Sequence, residues 1–142
     1  MAAFMKSVDT KLLGRKTYEA SLRMGAKFDS KKDRTIVFSR HAPPAGAPPG
    51  VEFVSGAIGP FVSRLREQPG KDIWLMGGGE LIASFLDEQA IDEFVVTVAP
   101  VFIGDGIPLI ARRHRNVSLD LQSVEKFDDG VVQLRYRLQS DA

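Results

Sequence analysis

Four short apolar runs, each too brief to be a helix of ordinary length, recur along the chain with helical patterns between them. They are Thr35–Phe38, Val51–Val54, Ile73–Met76 and Phe94–Val98. A strand apolar on both faces is stable only inside a sheet that helices cover, so this alternation predicts an α/β fold. Between the runs, Tyr18 and Leu22 share a helical face, and so do Phe61, Val62 and Leu65. Pro60, just after Gly59, suits a first helical position. Leu81, Ile82, Phe85 and Leu86 recur at helical spacing, and Phe94–Val98 reads as a fully buried strand. The period then changes to two. Ser118–Val124 and Val131–Leu138 alternate around Asp129-Gly130, which predicts a closing antiparallel hairpin and hence a mixed sheet. Ala42–Gly50, rich in proline, is a loop that is neither helix nor central strand.

The chain has 142 residues, enough for one domain spanning 1–142. A net charge of +1 argues against nucleic acid, which calls for a basic excess. With no cysteine, disulfide scaffolds, thiolate metal sites and thiol catalysis are excluded. His41 and His114 lack a second ligand at helical spacing, so no metal is expected. The most apolar stretch, Phe94–Ile103, is too short to span a bilayer, and no signal peptide is visible, so a cytoplasmic protein is expected.

Three strand ends carry residues suited to phosphate. In Gly14-Arg15-Lys16-Thr17 a helix starts near Arg15, and its unpaired N–H groups join two cations and a hydroxyl. A capped helix whose basic residues face solvent explains the same residues equally well. Asp9 stands where a Walker A motif would need its first glycine. In Met76-Gly77-Gly78-Gly79-Glu80-Leu81, three glycines between strand and helix leave room for a ligand against the backbone. One glycine would suffice for a plain turn, so the run favours a binding role. No Gly-x-Gly-x-x-Gly fingerprint follows, so a standard dinucleotide fold is not indicated. Ser39 and Arg40 end a third strand and suit a phosphate monoester. Asp92 and Glu93 read as solvated, Arg112–Arg115 as a solvated basic loop, and Asp105 as a turn residue.

Taken together, Leu13–Glu19, Ile73–Leu81, Ile91–Phe94, Ala99–Val101, Gly104–Ile110 and Phe127–Val132 resemble the dihydrofolate-reductase-like family. The resemblance is to the C-terminal reductase domain of the bacterial bifunctional riboflavin-biosynthesis deaminase–reductase. It implies a three-layer domain, a mixed β-sheet flanked by helices, and NADPH as cofactor. Gly14, Arg15, Lys16 and Thr17 would then hold cofactor phosphates. Ser39 and Arg40, with Arg15, would lie near the adenosine ribose 2′-phosphate. Met76, Gly77, Gly78, Gly79, Glu80 and Leu81 would pack on the pyrophosphate and nicotinamide side. The implied reaction resembles that of 5-amino-6-(5-phosphoribosylamino)uracil reductase, a hydride transfer to a pyrimidine- or pterin-like small molecule. No catalytic residue is assigned.

Family members carry a further strand and a Ser-Leu-Asp-Gly-like turn ahead of the segment matching Phe4–Val8, and this sequence does not show them. An N-terminally shortened chain is the expectation that follows. Two other readings stay open: a non-catalytic nucleotide-binding or self-associating remnant, and a purely structural domain. Dihydrofolate reductase itself is disfavoured, because the segment Phe4–Val8, read as helix, offers no carboxylate. A homodimer is expected through Phe94–Val98 and the hairpin.

Overall fold

The computed structural model describes residues 6–28, 33–41, 43, 48, 50–113 and 116–139. Most of the proline-rich stretch Ala42–Gly50 lies outside them, as do Phe4, His114 and Arg115. Chain order is β1 (Val8–Gly14), α1 (Arg15–Arg23), β2 (Arg34–Phe38), β3 (Val51–Val54), α2 (Ile58–Glu67), β4 (Asp72–Gly77), α3 (Gly79–Asp87), β5 (Glu93–Val98), β6 (Leu119–Lys126) and β7 (Val132–Leu138). The alternation and the closing hairpin are as the sequence indicates. Two details differ. Val8 opens β1, leaving only Lys6 and Ser7 helical among the described residues before it. Pro60 is the third residue of α2, still in the first turn, where its missing N–H costs no helical bond.

The strands form two sheets. β3-β2-β1-β4 is wholly parallel, and β5-β7-β6 is antiparallel. Successive residues of β1 and β2 point to opposite faces of the parallel sheet. Leu12 and Ile36 pack with Val62, Leu65 and Phe85 from α2 and α3. Leu13 and Val37 pack with Tyr18 of α1 on the other face. Three layers result, and cover on both sides explains why the adjacent pairs Leu12-Leu13 of β1 and Ile36-Val37 of β2 are apolar throughout.

Phe94–Val98 is not fully buried, contrary to expectation. Among the described residues β5 pairs only with β7, and its face is half-buried with Thr97 and Val98 exposed. Its outer edge faces the outer edge of β4 across a cavity of about 960 Å³. Ile73, Trp74 and Leu75 line one wall, Glu93, Phe94 and Val95 the other, and Val62, Leu65, Ile82 and Phe85 lie beneath. The mixed sheet expected from the sequence is thus interrupted between β4 and β5. Among the described residues, every fully buried one lies between Val8 and Phe85.

The hairpin closes through a turn in which Gly130 has a φ of 89° and the Val131 N–H donates to Asp129 Oδ1 at 3.1 Å. Asp105, flanked by Gly104 and Gly106, caps its own turn by accepting from the Gly106 N–H at 2.9 Å.

Tyr18 sits 1% exposed among Phe28 and Phe53, with ring centroids 5.4 and 5.6 Å away. Among the described residues its hydroxyl finds no hydrogen-bond partner. Burial pushes the phenol above its ordinary value of 10.0, because the phenolate would be desolvated. The folded state therefore holds this proton more tightly than the unfolded one. Its stabilising effect is complete below about pH 10 and declines as pH rises further. Tyr18→Phe should gain up to about 1 kcal/mol at neutral pH and flatten the alkaline decline. Urea melts at neutral and alkaline pH check both, and a clear loss at neutral pH would show that the hydroxyl has a partner.

Candidate cofactor site

Strand order 3-2-1-4 places a topological switch between β1 and β4. The chain moves outward from β1 to β2 and β3, then returns to the far side of β1 as β4. In open α/β sheets a crevice forms there, at the carboxyl ends of the strands. All three stretches singled out in the sequence lie at that edge. Gly14 ends β1 opposite Phe38, Ser39-Arg40 follows Phe38 directly, and Gly77 ends β4 opposite Leu13.

Two helices start side by side at this crevice. The N-caps of α1 and α3 are Gly14 and Gly78, and neither supplies a side-chain cap. Their first-turn N–H groups are left for other acceptors, and the two partial positive charges add. The helix starts are close. A β-carbon on Gly14 would stand 3.8 Å from the Gly77 carbonyl oxygen and 3.9 Å from the Gly78 nitrogen, and one on Gly78 would meet Thr17 Oγ1 at 3.0 Å. Thr17 thus sits between the two helix starts. Lys16 is exposed and Arg15 half-buried, with a weak contact of 3.4 Å from Arg15 to Glu19.

The glycines answer to more than one requirement. Gly77 has a φ of 130°, a conformation that side chains rarely adopt. Gly79 is hemmed in by the chain itself: a β-carbon there would meet the carbonyl oxygens of Pro108 and Leu109 at 3.0 and 3.1 Å. Met76 turns its side chain toward Leu13, Tyr18 and Val37, and Leu81 packs on the core beneath α2 and α3. These two offer a ligand little beyond backbone. Ser39 accepts from the His41 N–H at 3.1 Å, while its own N–H donates to the Val54 carbonyl at 2.9 Å, which fixes the strand end that carries Arg40.

Asp92, Glu93, Arg112 and Arg113 are exposed, as the solvated reading expects, and three of them are also paired. Asp92 accepts from Arg66 at 3.0 Å, and Glu93 lies 3.5 and 3.9 Å from Arg135 and Arg137. Arg113 donates to Glu80 at 3.1 Å, a contact across 33 positions that no local pattern announces. Among the described residues no group of three or more His, Asp or Glu side chains is arranged to hold a metal. No described helix is long and apolar enough to cross a membrane.

The profile of the RibD C-terminal domain matches residues 3–133. The chain belongs to the RibD C-terminal domain family. YwjB, an uncharacterized protein of Bacillus subtilis, is 37% identical over 133 residues, covering 94% of this chain and 75% of that one. YyaP from the same organism is 31% identical over 144 residues, covering 94% and 76%. Among solved structures, a putative riboflavin biosynthesis protein from Shewanella sp. PV-4 superposes with a TM-score of 0.84 at 27% identity, covering 99% of this chain and 79% of that one. A pyrimidine reductase-like protein from Corynebacterium diphtheriae shares the fold at a TM-score of 0.67 and 16% identity, covering 94% and 77%. Acinetobacter baumannii RibD also shares it, at 0.63 and 15%, and there the match spans 47% of the longer chain.

Proposed function

We propose that this chain is an NADPH-dependent reductase acting on a pyrimidine-like small molecule. One observation carries the reading: two uncapped helix N-termini meet at the switch point of the parallel sheet, beside a strand end bearing Ser39 and Arg40. A dinucleotide needs anion-binding N–H groups for its pyrophosphate, and the 2′-phosphate of NADPH asks for a cation nearby. The residues present fit that requirement. Gly14–Thr17 and Gly77–Leu81 would hold the pyrophosphate, and Arg40, with Arg15, the 2′-phosphate. Bound NADPH supplies hydride, and the protein binds, orients and shields. The names of the solved relatives, a riboflavin biosynthesis protein and a pyrimidine reductase-like protein, support the substrate class.

Titrating the chain with NADPH and NADH in parallel tests the reading. Trp74, the only tryptophan, lies in β4 three residues before Gly77 and reports on its environment. Saturable quenching that favours NADPH is expected, followed by NADPH oxidation on adding a pyrimidine acceptor. Equal or absent responses would overturn the cofactor assignment.

A second reading keeps the cofactor site without turnover. It is favoured by the cavity beside β4, which opens one wall of the region next to the glycine turn. Saturable NADPH binding with no oxidation by any acceptor would select it. For a homodimer, the surface on offer is the exposed run of Val101, Phe102, Ile103 and Ile107, with Leu121 and Val124 of β6.

A further inference from the structure

The stretch following Gly106 returns across the start of α3. Its backbone closes on Gly79, with the Ala111 N–H donating to the Gly79 carbonyl at 3.0 Å. Two residues later Arg113 reaches along the helix. Its Nη2 donates to Glu80 Oε2 at 3.1 Å, and its Nε lies 3.6 Å from Asp87 Oδ2. Glu80 and Asp87 stand seven positions apart, about two helical turns, and so share a face. One guanidinium therefore clasps both ends of α3.

Glu80 is the only acidic residue in the first turn of either site helix. A carboxylate there suits the helix dipole but repels any phosphate that would use the same N–H groups. We propose that Arg113 is a positioning residue of the dinucleotide site. It neutralises Glu80 and draws its carboxylate along α3, so that the helix start remains attractive to anions. This rests on the reading that the α3 N-terminus receives cofactor phosphate. The pair is solvent-accessible, with side-chain exposures of 37% for Arg113 and 82% for Glu80. An exposed pair contributes little to folding, so its loss is readable as a change in binding.

The experiment measures the dissociation constants of NADPH and of inorganic pyrophosphate for four forms of the chain. These are the unsubstituted protein, Arg113→Ala, Arg113→Lys, and the double variant Arg113→Ala with Glu80→Gln. Arg113→Ala should weaken both ligands about three- to tenfold at low ionic strength, and the difference should shrink in high salt. Arg113→Lys should recover part of the affinity, and the double variant most of it, because removing the uncompensated carboxylate replaces the missing cation. A double variant as weak as Arg113→Ala would show that the arginine only holds the loop, and the proposal falls. An Arg113→Ala protein that binds both ligands normally overturns it as well. Pyrophosphate binding without NADPH binding would sink the reductase reading, while the arginine series on pyrophosphate still decides the role of Arg113. Failure of the unsubstituted chain to bind either ligand overturns both.

Discussion

A form of this chain extended at its N-terminus by a segment able to form an alternating apolar–polar strand should melt about 10–20 °C higher than the 142-residue chain. The outer edges of β4 and β5 face one another across the cavity, and among the described residues each strand pairs on only one side. A strand inserted there would form a ladder with both. About five hydrogen bonds on each side, at roughly 1 kcal/mol net each, would add to burial of two or three apolar side chains at about 1.5–3 kcal/mol apiece. Ordering six or seven residues costs about 1–2 kcal/mol each, which leaves a net gain of several kcal/mol. The cavity suits such an occupant. Its inner side is apolar, from Val62, Leu65, Ile82 and Phe85, while Asp9, Lys71 and Arg135 stand among its polar lining. Circular dichroism melts of the two forms check the expectation, with amide exchange at β4 and β5 to locate the effect. An unchanged melting temperature, or a rise without new protection at those two edges, would count against strand insertion.

Replacing Arg40 by alanine should weaken NADPH by about 1.5–3 kcal/mol, roughly ten- to 150-fold, and leave NADH nearly unchanged. The two cofactors differ by the 2′-phosphate, and Arg40 is the exposed cation immediately past β2 at the switch-point edge. A guanidinium can donate two parallel hydrogen bonds to a phosphate, which explains an effect larger than a remote charge would give. Arg40→Lys should recover only part of the affinity, since an ammonium keeps the charge and loses the fork. Equal weakening of NADPH and NADH would place Arg40 away from the 2′-phosphate and falsify the discrimination.

Much of the candidate site is legible in the sequence because its signals are local. Glycine next to basic residues at a strand end needs only a few neighbouring positions to be recognised, as in Gly14–Thr17 and Met76–Leu81. Asp129-Gly130 likewise announces the hairpin, since Gly130 occupies the positive φ that the turn requires. What escapes is what depends on distant partners. The apolarity of Phe94–Val98 gives no sign that β5 is an edge, because the missing neighbour is a matter of sheet order. The ion pair between Glu80 and Arg113 joins residues from separate stretches, so neither residue alone announces it. Gly79 reads as room for a ligand, whereas its small size is also demanded by the backbone of Pro108 and Leu109. The two explanations cannot be separated from composition, because both need the absence of a β-carbon.

The confinement of full burial to Val8–Phe85 also bears on how the molecule opens. Amides of β1 and β2 are covered by packed side chains on both faces, and freeing them requires dismantling the layers around them. β5, β6 and β7 contain no fully buried residue, and β6 is exposed along its whole length. The three-stranded sheet is thus held chiefly by its own ladder and can come apart while the four-stranded one stays intact. Two thresholds of opening are the expected result, read by amide exchange as weaker protection in β5, β6 and β7 than in β1 and β2. Because the stretch that packs on Gly79 lies between β5 and β6, excursions across the lower threshold would loosen one wall of the candidate crevice well before the protein as a whole unfolds.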